Sequence, residues 1–513
     1  MKTSLTTIGL ALALVFFPLS ARAEQNDPVD SKLNIVLIQA DDLAAGYTGF
    51  GGHPVVQTPN LDTLAEQSVQ FSRFYTAAPI DGFGTALLLT GEYPHQYNAV
   101  EGDTLLSPHA LTFVRQLKRG GYKCGFVGKW ELSEHPAYAE VYGFEDYVAV
   151  DDSDWKWTDC PVWVQRKKQT ADEFLTDWHV SRSLEFIEAS EDKPFFLWLN
   201  LRAPHEPFVY PPGTEDLYPS EQVNLNQLEA IENLPTLLNQ CMMRREYHKN
   251  KTRLGEARSK YYAMIHHMDE SLGRLLDRLN REDMAQHTLV IFCSENGFLL
   301  GEHQLYGKGP ILVEELIRSP LLIRHPDIEG GSTVNRLSSG IDLAPTLCEA
   351  AEVEIPVTMK GRSLLDVMRK GNPEDATGEA FVAWYADKDS PFPARAVLNK
   401  RFKFIEYLEQ DNLLFDLVRD PGERMNVLDL PQYLAVVNVL QNRLSSWRVA
   451  TNDKEDKPGQ RITRRRPTQQ RRSPTQRPQR RSIRRRHVPS QSNRRPTPPP
   501  PPRPPQRPKN TRR

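Results

Sequence analysis

The stretch LNIVLIQADD, residues 33–42, decides the fold. Its β-rich apolar run reads as a buried strand, and Ala40-Asp41-Asp42 follows at once, so the strand delivers two carboxylates at its C-terminal end. Thr58-Pro59-Asn60 then opens an amphipathic helix through Leu64, with proline at the first turn. The same unit recurs. Residues 124–127, 195–199, 289–293 and 321–323 are further short apolar runs, and helical patterns lie between them at 176–189 and 261–279. Such alternation predicts an α/β fold: a mixed, mostly parallel sheet covered by helices on both faces, with ligands beyond the carboxyl ends of its strands.

Beyond Arg362 the pattern changes. Shorter strands at 380–385, 402–407 and 413–417 and a final helix at 431–447 predict a smaller C-terminal α+β subdomain with an antiparallel sheet, over 365–450, after an α/β domain over 24–364. From about 451 the chain loses its apolar residues. Residues 461–513 hold 13 proline and 19 basic residues and no acidic one, a composition that cannot bury enough to fold. A disordered Arg/Pro-rich tail over 451–513 is therefore expected. The formal net charge of -2 hides this division, because residues 1–460 carry 45 basic against 66 acidic residues. An acidic body wears a basic tail. Such a tail adheres to polyanions, whether acidic polysaccharide or another polyanionic surface; the alternative is a solvated extension without a partner.

Residues 1–23 combine Lys2, an apolar run over 8–19 and the small-x-small ending Ala21-Arg22-Ala23. This is the pattern of a signal peptide, and it predicts export to the periplasm or the extracellular space with a mature chain beginning near Glu24. An anchor that stays attached is the alternative. No specific nucleic-acid partner is expected of an exported chain. Five cysteines in 513 residues exclude a disulfide scaffold, and none forms a CxxC pair. Cys124 and Cys293 lie in apolar runs and read as core; Cys160 with Cys241 is the one pair considered for a disulfide.

Charged and polar residues stand where the apolar runs end. Asp41 and Asp42 follow the first, Gly128-Lys129-Trp130-Glu131 another, Pro204-His205-Glu206-Pro207 a third and Ser294-Glu295-Asn296-Gly297 a fourth. Carboxylate and amide oxygens suit a hard cation, Ca²⁺ with Mg²⁺ as the alternative. Taken singly, a DD pair is ordinarily a solvated turn and a lone Lys or His a surface residue. Their joint occurrence after four strands of one sheet points to a site.

With these residues in view the chain resembles the sulfatase family of the alkaline-phosphatase superfamily. Matching segments include NIVLIQADDL (34–43), LLLTGEYPH (87–95), GYKCGFVGKWEL (121–132), PFFLWLNLRAPHEPF (194–208), TLVIFCSENGFLLGEH (288–303) and YGKG (306–309). They run in the family's order, and PHEPF with the long insert 210–258 is most similar to the iduronate-2-sulfatase-like branch. The resemblance implies that Asp41, Asp42, Glu295 and Asn296 hold the metal. It also implies that Lys129, His205 and Lys308 contact the sulfate and its leaving oxygen, as a developing charge requires.

The sequence departs from its family where the nucleophile belongs. The Cys/Ser-x-Pro-Ser-Arg signature falls on Asp81-Gly82-Phe83-Gly84-Thr85, so the residue the family converts to formylglycine is Asp81, and no formylglycine is expected. The signature's arginine is Thr85, the histidine two residues after Lys129 is Glu131, and one metal-ligand Asp is Glu295. Asp81 would join the metal's carboxylates. At ~4 Å and an effective dielectric near 20, one added like charge costs about 4 kcal/mol, which repels an arriving sulfate ester.

Two functions compete on this reading. The first is a pseudoenzyme that binds metal and a sulfated or acidic glycan; the second is a sulfuric or phosphoric ester hydrolase with Asp81 as direct nucleophile. Specificity would lie in loops at 151–168 and 210–258. Trp155, Trp157 and Trp163 in the first would stack on sugar faces or pack the loop down.

Overall fold

The computed structural model describes residues 32–97, 106–132, 139–151, 155–190, 193–223, 230–234, 250–371, 378–385, 392–408 and 411–454. The leader, Cys241 and the basic tail lie outside the described residues. From edge to edge the main sheet runs Ser332–Val334, Val69–Phe71, Leu321–Arg324, Thr288–Ser294, Asn34–Ala40, Phe195–Asn200, Lys123–Trp130, Asp146–Asp151, Cys160–Val164 and Lys167–Ala171. The five strands from Thr288–Ser294 to Asp146–Asp151 pair in parallel, while antiparallel pairs join Leu321–Arg324 and the final hairpin. The sheet is thus mixed and mostly parallel, as expected.

The first strand explains the covering on both sides. Its alternate side chains Val36 and Ile38 enter one core with the helices Leu175–Glu188 and Lys251–Leu279, and Ile35 and Leu37 enter another with Phe113–Arg119 and Leu343–Ala350. Register then places the chemistry. Gln39 is level with both Asn200 and Cys293, and Ala40 with Ser294, so the residues that follow these strands emerge at one edge of the sheet.

Several elements differ from the sequence expectation. The strand expected over 124–127 continues to Trp130, which puts Lys129 inside it and leaves Glu131 as the residue that follows. Gly128 allows this extension: it takes φ +135°, and a Cβ there would meet the Asn200 carbonyl oxygen at 1.8 Å. Residues 151–168, expected as a loop, contribute Cys160–Val164, which with Lys167–Ala171 extends the sheet as a hairpin. The lysines and glutamine of that outer strand are exposed, as befits a sheet edge, and gave no apolar signal. The helix expected from 261 begins at Lys251, where the Asn250 side chain accepts a hydrogen bond from the Arg253 N–H.

The C-terminal antiparallel sheet has four strands, Ala380–Trp384, Ala394–Leu398, Phe402–Tyr407 and Leu413–Asp416, of which Ala394–Leu398 was not read from the sequence. Helix Leu434–Thr451 packs against it, and its core is continuous with Phe83, Leu87 and Leu312. The described residues belong to one compact unit. Cys124 and Cys293 are buried in core strands as expected. Cys160 is buried too, its sulfur accepting the Lys156 N–H at 3.4 Å. Among the described residues no helix is long and apolar enough to cross a membrane.

Candidate functional site

The strand ends bring Asp41, Asp42, Asp81 and His205 together, with one ligand atom from each within 4.8 Å of the others. Asp81, Glu131 and Glu295 form a second such group that shares Asp81. Asp41 and Asp42 are fully buried, and Asp42 holds φ +64° as the chain turns off the strand. Asp81 precedes the helix Phe83–Thr90, and its side chain is 42% exposed. Asn296 donates its amide to Oδ1 of Asp42 at 2.7 Å, which ties the end of Thr288–Ser294 to the end of the first strand.

The three cationic residues all engage these carboxylates. Nζ of Lys129 lies 2.6 Å from Asp41 Oδ2 and 2.5 Å from Glu131 Oε1. Lys308 donates to Asp42 Oδ1 at 2.8 Å and also to Asp81. His205 places Nε2 3.4 Å from Asp81 and 3.6 Å from Asp42, while its Nδ1 donates to the Glu206 carbonyl at 2.6 Å. Thr85 donates its hydroxyl to Glu131 Oε2 at 3.0 Å. The residues named from the sequence thus lie together, each within reach of at least one other of them.

The electrostatics separate the carboxyls. Burial opposes ionisation of Asp41 and of Asp81. For Asp41 the charges of Lys129, His205 and Lys308 outweigh it; for Asp81 those of Lys308, Lys129 and His205 do so and hold the carboxyl well below the usual range. For Asp42 burial prevails over Lys308 and His205, and its carboxyl is pushed up. Burial and then the Glu131 carboxylate push Glu295 well above its ordinary value. Burial would lower His205, yet Asp41 and Asp42, with help from Asp81, raise it to about 9.

The donor set fits a hard divalent cation. Oδ1 of Asp41, Oδ2 of Asp42, both carboxylate oxygens of Glu295 and Oδ1 of Asn296 are buried without a hydrogen-bond partner, an arrangement that is costly unless a ligand satisfies it. These oxygens would hold the ion, which when bound polarises an ester oxygen. Glu131 is the site residue that sequence reasoning did not assign as a ligand. Its signal was position, two residues after Lys129 at a strand end.

The first loop resolves in part. Trp157 stacks on Phe174 with rings 5° apart and donates its indole N–H to the Pro207 carbonyl at 2.9 Å. Trp155 meets Trp157 edge-on and carries the Arg202 guanidinium 3.7 Å from its ring centre. These two pack the segment down, and Trp163 lies half-buried in the hairpin.

Comparison with known proteins agrees with this architecture. The sulfatase family model matches residues 33–353, well over half of the chain. The chain belongs to the sulfatase family. A model of the C-terminal part of N-sulphoglucosamine sulphohydrolase matches residues 301–450. Among sulfatases, the chain is 28% identical to an ulvan-active sulfatase of Formosa agariphila, covering 85% of this chain and 86% of that one. It is 25% identical to an N-acetylglucosamine-6-O-sulfatase of Bacteroides thetaiotaomicron, over 84% and 89%. A solved structure in complex with its substrate D-glucosamine-2-N,6-O-disulfate shares the fold with a TM-score of 0.73 at 23% identity, covering 84% of this chain and 100% of that one. The phosphonate monoester hydrolase of Agrobacterium radiobacter does so with a TM-score of 0.70 at 22% identity, over 82% and 96%.

Proposed function

We propose that this sulfatase is an exported pseudoenzyme that holds a divalent cation, Ca²⁺ in preference to Mg²⁺, and binds a sulfated or acidic glycan without the formylglycine mechanism. One observation carries the reading. Lys129 and Lys308, the groups expected to meet the substrate's sulfate, are each paired with a carboxylate that stands where the family has another residue: Lys129 with Glu131 and Lys308 with Asp81. A sulfate arriving at Asp81 displaces an ion pair and meets a carboxylate in place of a neutral aldehyde hydrate. Asp41, Asp42, Glu295 and Asn296 hold the cation, with Asp81 beside them. The glycan class rests on the relatives named above, and export rests on residues 1–23.

A second reading has its own support: Asp81 is held ionised and partly exposed, the state a carboxylate nucleophile needs. Release of sulfate and phosphate from an ester panel separates the two. The natural protein, Asp81→Ala, and Asp81→Cys with Thr85→Arg coexpressed with the formylglycine-forming enzyme are compared in Ca²⁺ and in Mg²⁺. The pseudoenzyme reading expects no turnover by the natural chain. Turnover that Asp81→Ala abolishes would establish a carboxylate-dependent hydrolase instead.

A further inference from the structure

We infer that the chain has a second ligand site, apart from the metal pocket, that takes an acidic sugar residue. The site is a cavity of about 600 Å³, within the usual range for small-molecule sites. Its walls come from distant parts of the chain: Tyr47 and His53 after the first strand, Arg73 in the turn after Val69–Phe71, Arg258 and Tyr262 on helix Lys251–Leu279, and Arg318 after Glu314–Ile317. No cation or carboxylate of the metal pocket lines it.

One wall is a platform of rings. His53 stacks on Tyr47 with centroids 5.2 Å apart and meets Tyr262 edge-on at 5.0 Å. Its Nδ1 accepts the N–H groups of Val55 and Val56 at 3.2 and 2.8 Å, and burial and then Arg258 lower the imidazole to about 4. The neutral ring therefore carries its proton on Nε2. Glu302 accepts from the Tyr47 hydroxyl at 2.5 Å and from Arg258 at 2.6 Å, which fixes the platform. A second wall is cationic. Arg73 donates to the Lys400 carbonyl at 3.1 Å and meets no carboxylate among the described residues. Arg318 lies 3.3 Å from Glu314, whose carboxylate also takes Lys403 at 2.9 Å and the Tyr75 hydroxyl at 3.3 Å. Both guanidiniums bear on that hydroxyl, which burial and Glu314 push up, and both residues are partly exposed. Their charge is only partly neutralised. A carboxylate or sulfate against these forks makes charge-assisted hydrogen bonds, while a sugar ring lies against the imidazole and takes its N–H. Neither a free anion nor a neutral sugar uses both walls.

The test is calorimetric titration of the full chain with glucuronic acid and with glucosamine 6-sulfate, beside glucose and inorganic sulfate. Three variants are compared with the natural chain: Arg73→Gln, Gly46→Phe and, in the metal pocket, Lys308→Ala. Gly46 lines the cavity outside the left-handed region, and a Cβ there has nothing within 4 Å, so Gly46→Phe fills the space without crowding the backbone. At least one acidic sugar is expected to bind more tightly than glucose or sulfate, to bind Lys308→Ala equally well, and to bind Arg73→Gln and Gly46→Phe about tenfold more weakly. Which sugar binds tells carboxylate from sulfate. Arg73→Gln alone decides if Gly46→Phe shifts the thermal midpoint, because Arg73 is partly exposed. Affinity unchanged in both cavity variants, or no binding of either sugar, would overturn the second site. Affinity lost only in Lys308→Ala would do so too and leave the proposed function standing.

Discussion

Thr85 stands where the family's signature has arginine, and its hydroxyl donates to Oε2 of Glu131 at 3.0 Å. The two departures are physically linked: a short neutral donor replaces a long cation just where a carboxylate replaces an imidazole. Because Thr85 is fully buried, Thr85→Val removes a donor to a charged acceptor without changing shape. Denaturant unfolding is expected to show a loss of about 1.5–3 kcal/mol, as hydrogen bonds to charged groups contribute in protein interiors. An unchanged midpoint would mean that the hydroxyl does not hold Glu131. The residue identities were legible in the sequence, through strand ends and the family's order. Their pairing was not, because Lys129 and Lys308 choose among several carboxylates by distance, and distance is set by strands far apart in sequence.

At the scale of elements, the first turn of helix Phe83–Thr90 presses against the end of strand Thr288–Ser294 through Gly84. Gly84→Ala puts a methyl into space that Glu295 occupies, so Glu295 must swing away. Cation affinity measured by calorimetry is expected to fall at least tenfold, about 1.4 kcal/mol; undiminished affinity would remove Glu295 from the ligand set. Helix Leu175–Glu188 supplies a pH dependence outside the site. Burial alone lowers His179 to about 3, so this imidazole stays neutral in the fold. Between its unfolded pKa near 6.5 and about 3 the unfolded chain binds the proton and the folded chain does not. His179 therefore leaves stability intact above pH 6.5 and lowers it, on the order of a few kcal/mol, as the pH falls. His179→Leu should flatten that part of the stability profile, and an equally steep profile in the variant would reject the assignment.

Across the whole molecule, charge is divided between an acidic body and the basic residues 461–513. Deleting 456–513 removes no described residue and is expected to leave the thermal midpoint unchanged. The same deletion is expected to abolish retention on an anionic matrix at low salt. Full-length retention should weaken as salt rises, since exposed charges are screened over about 10 Å at 0.1 M. Equal retention of both forms would sink the adhesive role of the tail.

The sequence by itself determined the α/β class and the family, and it named the residues that the structure brings together: Asp41, Asp42, Asp81, Lys129, His205, Lys308, Glu295 and Asn296. It did so because buried parallel strands are written as apolar runs and their functional residues follow directly. Strand Ala394–Leu398 and the hairpin Cys160–Val164 with Lys167–Ala171 escaped it, since short strands and polar edges have no comparable local signature. Only the tertiary structure decided which cation meets which carboxylate, placed Glu131 among the ligand candidates and left the Glu295 oxygens without partners. Those outcomes depend on the register of non-adjacent strands and on burial. Both are properties of the assembled sheet.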